Sequence, residues 1–270
     1  MPKISIIIIN YNTPDLVYDC LKSIEENLKV DYEIIIVDNG SKSDLRIITK
    51  ELRKRFPTFN FQLLTLQTNF GFGGGNNLGA KMAKSEVIWF LNSDTLIPKN
   101  NSIDKLIDFL LKNEEIAIIS PLLYNDIKMQ KLQANFFAHF QNLFNIIVRS
   151  NRFLKIAKTS HKFFKTDMVV GASMFIKRSL FEKLAGFDKN IFMFFDDDDL
   201  CFRAKKAGFD TAVFCRAKII HLQGKSIKKN AARKRLYYQS QNYFWQKHYG
   251  TLPTLLMRIL RFPLKIIMTI

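Results

Sequence analysis

Cysteine is scarce in this chain: three in 270 residues, at Cys20, Cys201 and Cys215. An odd number with no C-x-x-C pair excludes a disulfide framework or a cysteine zinc cluster and fits a reducing compartment. Long uninterrupted apolar runs are also missing. The N-terminal run Ile4 to Ile9 is too short for the core of a signal sequence and reads as a buried first strand. The last stretch, Leu252 to Ile270, approaches the ~20 residues a membrane span needs, but Arg258, Arg261, Pro263 and Lys265 interrupt it. Acidic residues are absent from two blocks: between Asp126 and Asp167, and after Asp210.

What is present follows from those gaps. The two acid-free blocks hold eight and twelve Lys and Arg, so they carry more than the whole net charge of +17. Without them, 21 bases face 24 acids, a mildly acidic body with two basic attachments. A hydrophobic fraction of 47% excludes a disordered chain. The overall charge and basic aromatic stretches raise a nucleic-acid-binding alternative, which leaves the acidic motifs below unexplained.

Over the first ~120 residues short apolar runs alternate with helical patterns, the signature of βαβ units on a parallel sheet. Strands are predicted at Ile4–Asn10, Glu33–Val37, Phe61–Gln67, Val87–Asn92 and Ile116–Ser120. Thr13-Pro14-Asp15 offers a helix N-cap and a helix to about Leu28. Further helices are expected near Asp44–Arg55, Asn76–Lys84 and Ser102–Lys112. Beyond them, Met168–Lys177 reads as a strand, Ser179–Ala185 and Leu200–Ala207 as helices, and Thr211–Phe214 and Ala217–His221 as strand pieces.

Ligands of parallel α/β sheets bind at the carboxyl ends of strands. Four predicted ends are polar: Asn10-Tyr11-Asn12, Asp38-Asn39-Gly40-Ser41, Asn69-Phe70-Gly71 and Asn92-Ser93-Asp94. The glycine run from Gly71 fails the dinucleotide pattern, because its third glycine position is Asn76. Gly224-Lys225-Ser226 fails as a phosphate loop, because the required earlier glycine is Ile219. Asp94 either caps a turn or holds Mg²⁺ together with substrate phosphates. Asp196 to Asp199 form the densest acidic cluster; mutual repulsion raises proton affinity and suits a general base at Asp196 or Asp197, with Asp199 paired to Arg203. His221 is either structural or a ligand for a diphosphate oxygen or its metal.

Taken together, Ile6 to Asn12, Val37 to Ser41, Asn69 to Asn77, Leu91 to Asp94, Gly171 to Met174, Gly186 to Asp188, Asp196 to Cys201 and His221 to Ser226 resemble a bacterial family 2 glycosyltransferase of the rhamnosyltransferase-like branch. The resemblance implies an α/β GT-A fold with a mostly parallel central sheet flanked by helices. It implies an inverting, metal-dependent transfer of a hexosyl or deoxyhexosyl group, with rhamnose among the candidates in that branch, from a nucleoside-diphosphate sugar. Carried over, Asn10, Tyr11, Asp38, Asn69, Gly73, Asn76, Ser93 and Asp94 meet the donor, with a turn at Gly73 to Asn76 beside the nucleotide. Asp94 and His221 hold Mg²⁺ or Mn²⁺, Asp197 is the base and Asp196 its neighbour. A nucleotidyltransferase of related fold, which directs attack at a phosphate instead of a sugar carbon, is the alternative.

The expected organisation is a catalytic domain at 1–226, divided into 1–120 for the donor and 121–226 for acceptor and base, and a basic helical extension at 227–270. Phe136 to Lys155 is expected as an amphipathic surface helix, and the tail as another, kinked or ended at Pro263. These place the protein in the cytoplasm, peripheral at the inner face of the membrane. Its expected partners are an anionic membrane surface and a lipid-linked saccharide acceptor, not nucleic acid.

Overall fold

The computed structural model describes residues 2–42, 49–50, 53–54, 57, 61–129, 136–137, 162–222 and 231–267, with backbone alone at 136–137 and 260–267. The first strand, β1 (Ile4–Asn10), lies between β2 (Tyr32–Asn39) and β4 (Val87–Asn92), and β3 (Phe61–Leu66) flanks β2, all parallel. Beyond β4 the sheet becomes mixed. Strand β10 (Ser173–Lys177) inserts antiparallel between β4 and β6 (Ile116–Tyr124), and β11 (Asp210–His221) runs parallel to β6. Short strands β5 (Thr95–Leu96) and β8 (Phe163–Thr166) pair antiparallel with β11.

Both faces of the sheet are covered, which is why its strands read as apolar runs instead of alternating patterns. Ile4, Ile6 and Ile8 point into the layer beneath α1 (Pro14–Asn27) and α3 (Ile103–Lys112), whereas Ile7 points to the opposite layer. In α1, Val17, Cys20, Leu21 and Ile24 recur at helical spacing and are buried. The opposite layer is covered by α2 (Gly71–Ala80), α4 (Arg178–Lys183) and α5 (Asp196–Lys206). Gly79 of α2 seats that helix on β1 and β2: an added Cβ would come within 2.7 Å of Ile7.

Several expected elements change. Thr13 does not cap α1; its amide and hydroxyl both donate to Asn10 Oδ1, so strand and helix are joined by the strand's own side chain. Helix α2 begins at Gly71, not Asn76, and α5 at Asp196, not Leu200, so both polar runs are first turns of helices. The predicted strand Met168–Lys177 is interrupted at residues 170–172, leaving β9 (Met168–Val169) apart from β10. Phe136–Phe137, expected in a helix, form strand β7 against β9, while the remainder of 130–161 lies outside the described residues. Most of the helix expected at 44–55 also lies outside them.

The tail folds back as two helices, α6 (Ala231–Tyr249) and α7 (Thr251–Ile267), joined at Gly250, whose φ of +84° is the left-handed conformation glycine accepts. Helix α7 continues past Pro263 instead of ending there. Phe244, Trp245 and Met257 of this hairpin pack with Phe195. The expected boundary at 226/227 lies outside the described residues.

Candidate active site

Register gathers the polar strand ends on one edge. Asn10 pairs with Asp38, Ile9 with Asn92, Ser173 with Leu91, and His221 with Thr95, so the carboxyl ends of β1, β2, β4 and β11 meet the start of β10. Asn10 is the first hub. Its Nδ2 donates to Asp38 Oδ1 and to Ser41 Oγ, each at 3.0 Å, and the Thr13 hydroxyl that bonds its Oδ1 lies 3.4 Å from Ser93 Oγ. One chain of polar groups therefore connects Asp38, Asn10 and Ser93. Tyr11 stands exposed at the same edge.

The second hub, Asn39, was not singled out in the sequence. Its Nδ2 donates to Asn69 Oδ1 and Gly71 O, and its Oδ1 accepts from Phe70 N. Asn69 Oδ1 also accepts from Gly71 N at 2.8 Å. The expected turn at Gly73 to Asn76 is instead buried helix. Gly73 admits Phe187, since a Cβ there would lie 2.8 Å from the Phe187 Cβ, and Asn76 Nδ2 donates to Phe72 O. The structure thus uses Asn69, Gly73 and Asn76 to seat α2. Asn77 completes the seat by exchanging two hydrogen bonds with the Phe187 backbone, each 2.8 Å long.

Asp94 and His221 are brought together, although 127 positions separate them in the chain. Asp94 Oδ1 lies 3.3 Å from His221 Nε2, and both side chains are buried. Leu222 N donates to Asp94 O, tying the end of β11 to this turn. A carboxylate oxygen and an imidazole nitrogen, each about 2.1 Å from one ion and near a right angle, stand about 3 Å apart, so the pair fits a divalent cation. Among the described residues no third His, Cys, Asp or Glu completes a cluster.

The four acids of α5 part company because each successive residue of a helix turns by about 100°. Asp197 Oδ2 accepts from Gly171 N at 2.8 Å and its Oδ1 from Asp198 N at 3.0 Å. Asp196 is buried, and its Oδ2 has no hydrogen-bond partner. Burial raises the pKa of Asp196, Asp197 and Asp198; Asp196 and Asp198 are pushed well above the ordinary carboxylate range, helped by the charge of Asp197. Asp199 goes the other way. Burial alone would raise it, but His248, Arg203 and Lys247 outweigh that and hold its pKa at about 2. The expected Asp199–Arg203 pair forms at 2.7 Å, and Arg203 also donates to Leu184 O and Gly186 O.

Gly171-Ala172 links the two halves of the site. Asn92 N, at the end of β4, donates to Ala172 O, while Gly171 N holds Asp197. The break in the predicted strand at 170–172 therefore carries the connection between the Asp94 turn and the acid helix. Lys247 and His248, which bond Asp199, lie far along the chain and no local pattern marks them.

A parallel βαβ half, an antiparallel β10 and an acid-bearing helix across one polar edge define the GT-A class of glycosyltransferase fold. The chain is similar to a mannosyltransferase, PcManGT from Pyrobaculum calidifontis, solved with GDP-Man and Mn²⁺: TM-score 0.66, 16% identity, covering 91% of this chain and 64% of that one. The chain belongs to glycosyltransferase family 2, whose model matches residues 5–185. Among curated relatives, the low-salt glycan biosynthesis hexosyltransferase Agl10 of Haloferax volcanii is 25% identical over 211 residues, 76% of this chain and 62% of the relative. The O-antigen chain rhamnosyltransferase RfbN of Salmonella typhimurium is 26% identical over 224 residues, 81% of this chain and 66% of the relative. The chain thus spans just under two thirds of the length of these two relatives.

Proposed function

We propose that this protein is an inverting glycosyltransferase that moves a hexosyl or deoxyhexosyl group, rhamnose among the candidates, from a nucleoside-diphosphate sugar to a lipid-linked saccharide in surface polysaccharide synthesis. The observation that carries this reading is the Gly171-Ala172 link, which joins the turn bearing Asp94 to the backbone amide that holds the Asp197 carboxylate. PcManGT's GDP-Man and Mn²⁺, and the O-antigen and glycan names of the relatives, support the choice of donor, metal and product class.

Asp38, Asn10 and Tyr11 bind and orient the nucleotide, with Ser93 beside the diphosphate. Asp94 and His221 would hold Mn²⁺ or Mg²⁺, which when bound supplies Lewis-acid stabilisation to the leaving diphosphate. Asp197 takes the proton from the acceptor hydroxyl as that oxygen attacks the anomeric carbon opposite the breaking C–O bond. One displacement inverts the centre. Burial raises the proton affinity of Asp197, which favours this transfer.

Turnover is tested with a panel of UDP-, GDP- and dTDP-linked sugars plus Mn²⁺ or Mg²⁺, with a saccharide acceptor on a polyprenyl diphosphate. We expect one donor to yield a glycosidic product, and Asp94→Asn to weaken its metal-dependent thermal stabilisation at least tenfold. A nucleotidyl product would identify the alternative chemistry, and no turnover of any donor would reject the proposal.

The membrane side of the reading rests on α7. No helix among the described residues is long and apolar enough to cross a membrane. Leu252, Leu255, Leu256 and Ile259 nevertheless form one stripe at helical spacing and are between 49 and 67% exposed, with Arg258 exposed beside them. Such a stripe suits an interfacial helix on anionic lipid, at the inner face of the cell membrane. The protein is expected to sediment with phosphatidylglycerol vesicles at low salt, and Leu255→Glu with Leu256→Glu to abolish this; equal sedimentation of both proteins would reject it.

A further inference from the structure

The backbone immediately before the acid helix is strained. Phe194 and Phe195 both have positive φ, +65° and +62°, which side-chain-bearing residues rarely adopt and almost never in succession. Such a turn persists only where its surroundings over-determine it. The surroundings here come from the tail. Tyr237 of α6 packs against both rings, edge-on to Phe194 at 5.6 Å and tilted to Phe195 at 5.2 Å, Phe244 lies 5.6 Å from Phe195, and Arg233 lies over Phe194. Ser240 Oγ donates to Met193 O at 2.7 Å. On the opposite side, Phe72 N donates to Phe192 O, so the loop is pinned to α2 as well.

The same helix also grips the far side of the acids. Asp199, fully buried, accepts from Lys247 Nζ at 2.6 Å and contacts His248 Nε2 at 2.7 Å. The first turn of α5 closes through Asp199 N to Phe195 O. Both ends of that hydrogen bond are thus held by α6, and Asp196 and Asp197 lie between them.

We infer that α6 is a positioning element for the base: Lys247 and His248 act through Asp199, and Tyr237 and Phe244 through the Phe194–Phe195 turn, to set Asp197 in place. This rests on the reading of Asp197 as the proton acceptor. It goes beyond that reading by assigning a role in the chemical step to a tail otherwise linked only to membrane association. None of the four touches the reacting atoms; each acts through another residue.

The test uses the full chain and the sugar nucleotide that the wild type turns over from the panel above. Lys247→Met and Tyr237→Leu are each expected to lower kcat about tenfold while the donor KM stays within twofold, and Lys247→Arg to restore most of the loss. Hydrogen exchange of the peptide spanning 192–199 is expected to speed up in both variants, with exchange in β1 and β4 unchanged. Leu106→Ala, buried in α3 within the layer opposite α5, supplies a control of general destabilisation and should keep its kcat below its melting point. Unchanged kcat with unchanged exchange would overturn the inference, as would kcat and donor binding falling together in step with melting temperature. If the wild type turns over no donor, the proposed function fails, and faster exchange at 192–199 still decides whether α6 holds the acid turn.

Discussion

Asp197→Asn is expected to lower kcat by about 10²–10⁴, the range a positioned general base contributes, while donor binding measured by thermal shift is retained. Asparagine has the same shape and keeps one acceptor oxygen for the Gly171 amide that holds the side chain, giving up only the acceptor opposite Asp198 N, so the fold is expected to survive. What it cannot do is take a proton. Asp196→Asn is expected to cost much less. Burial and the neighbouring Asp197 charge push the Asp196 carboxyl well above the ordinary range, which disfavours its ionised form beside Asp197. Its buried Oδ2 has no partner, and the amide is a tolerable replacement for a neutral acid. Full turnover in Asp197→Asn, or a greater loss in Asp196→Asn, would move the base to the other carboxylate.

The second large effect concerns stability. Asp199→Ala is expected to destabilise the fold by about 3–5 kcal/mol, because it strands the charges of Arg203 and Lys247, and the His248 ring nitrogen, around a fully buried carboxylate. Arg203, Lys247 and His248 all lose the same partner. Urea unfolding of the two proteins at pH 7 measures the difference; a loss below about 1 kcal/mol would show the cluster to be no more than a surface network. The pH dependence has a definite sign. Asp199 is held at about 2 in the folded state, below its ordinary 3.8. Its contribution is therefore complete above about pH 4 and is lost as the pH falls towards 2. The shift corresponds to roughly 2 kcal/mol, which is the part that protonation removes. The wild type should lose that amount over this window and the Asp199→Ala protein should not.

Much of the architecture was legible locally. The bounds of β1 and β4 were read to the residue, since buried parallel strands are apolar runs that stop at polar residues, here Asn10 and Asn92. Helix α1 announced itself through Pro14 and its apolar spacing. The misreadings cluster where tertiary contacts override local preference. Three successive glycines at 73–75 suggest a turn, yet Gly73 is helical because it packs on Phe187, more than a hundred residues away. Met168 to Lys177 reads as one strand, yet it breaks at Gly171, whose amide serves Asp197.

The chain's own sequence determined that a polar edge would exist and which acids could reach it, because strand period, apolar runs and strand ends are local properties. It also determined that the charge is segregated. It did not determine what each of four adjacent aspartates does. In sequence only Asp199 stands apart, through Arg203 four residues on; on a helix each successive side chain turns by about 100° into different surroundings. Asp197 meets Gly171, Asp196 is buried with one oxygen unpartnered, and Asp199 meets Lys247 and His248 from the folded-back tail. Only the packing of distant segments supplies those partners, and the partners set the proton affinities.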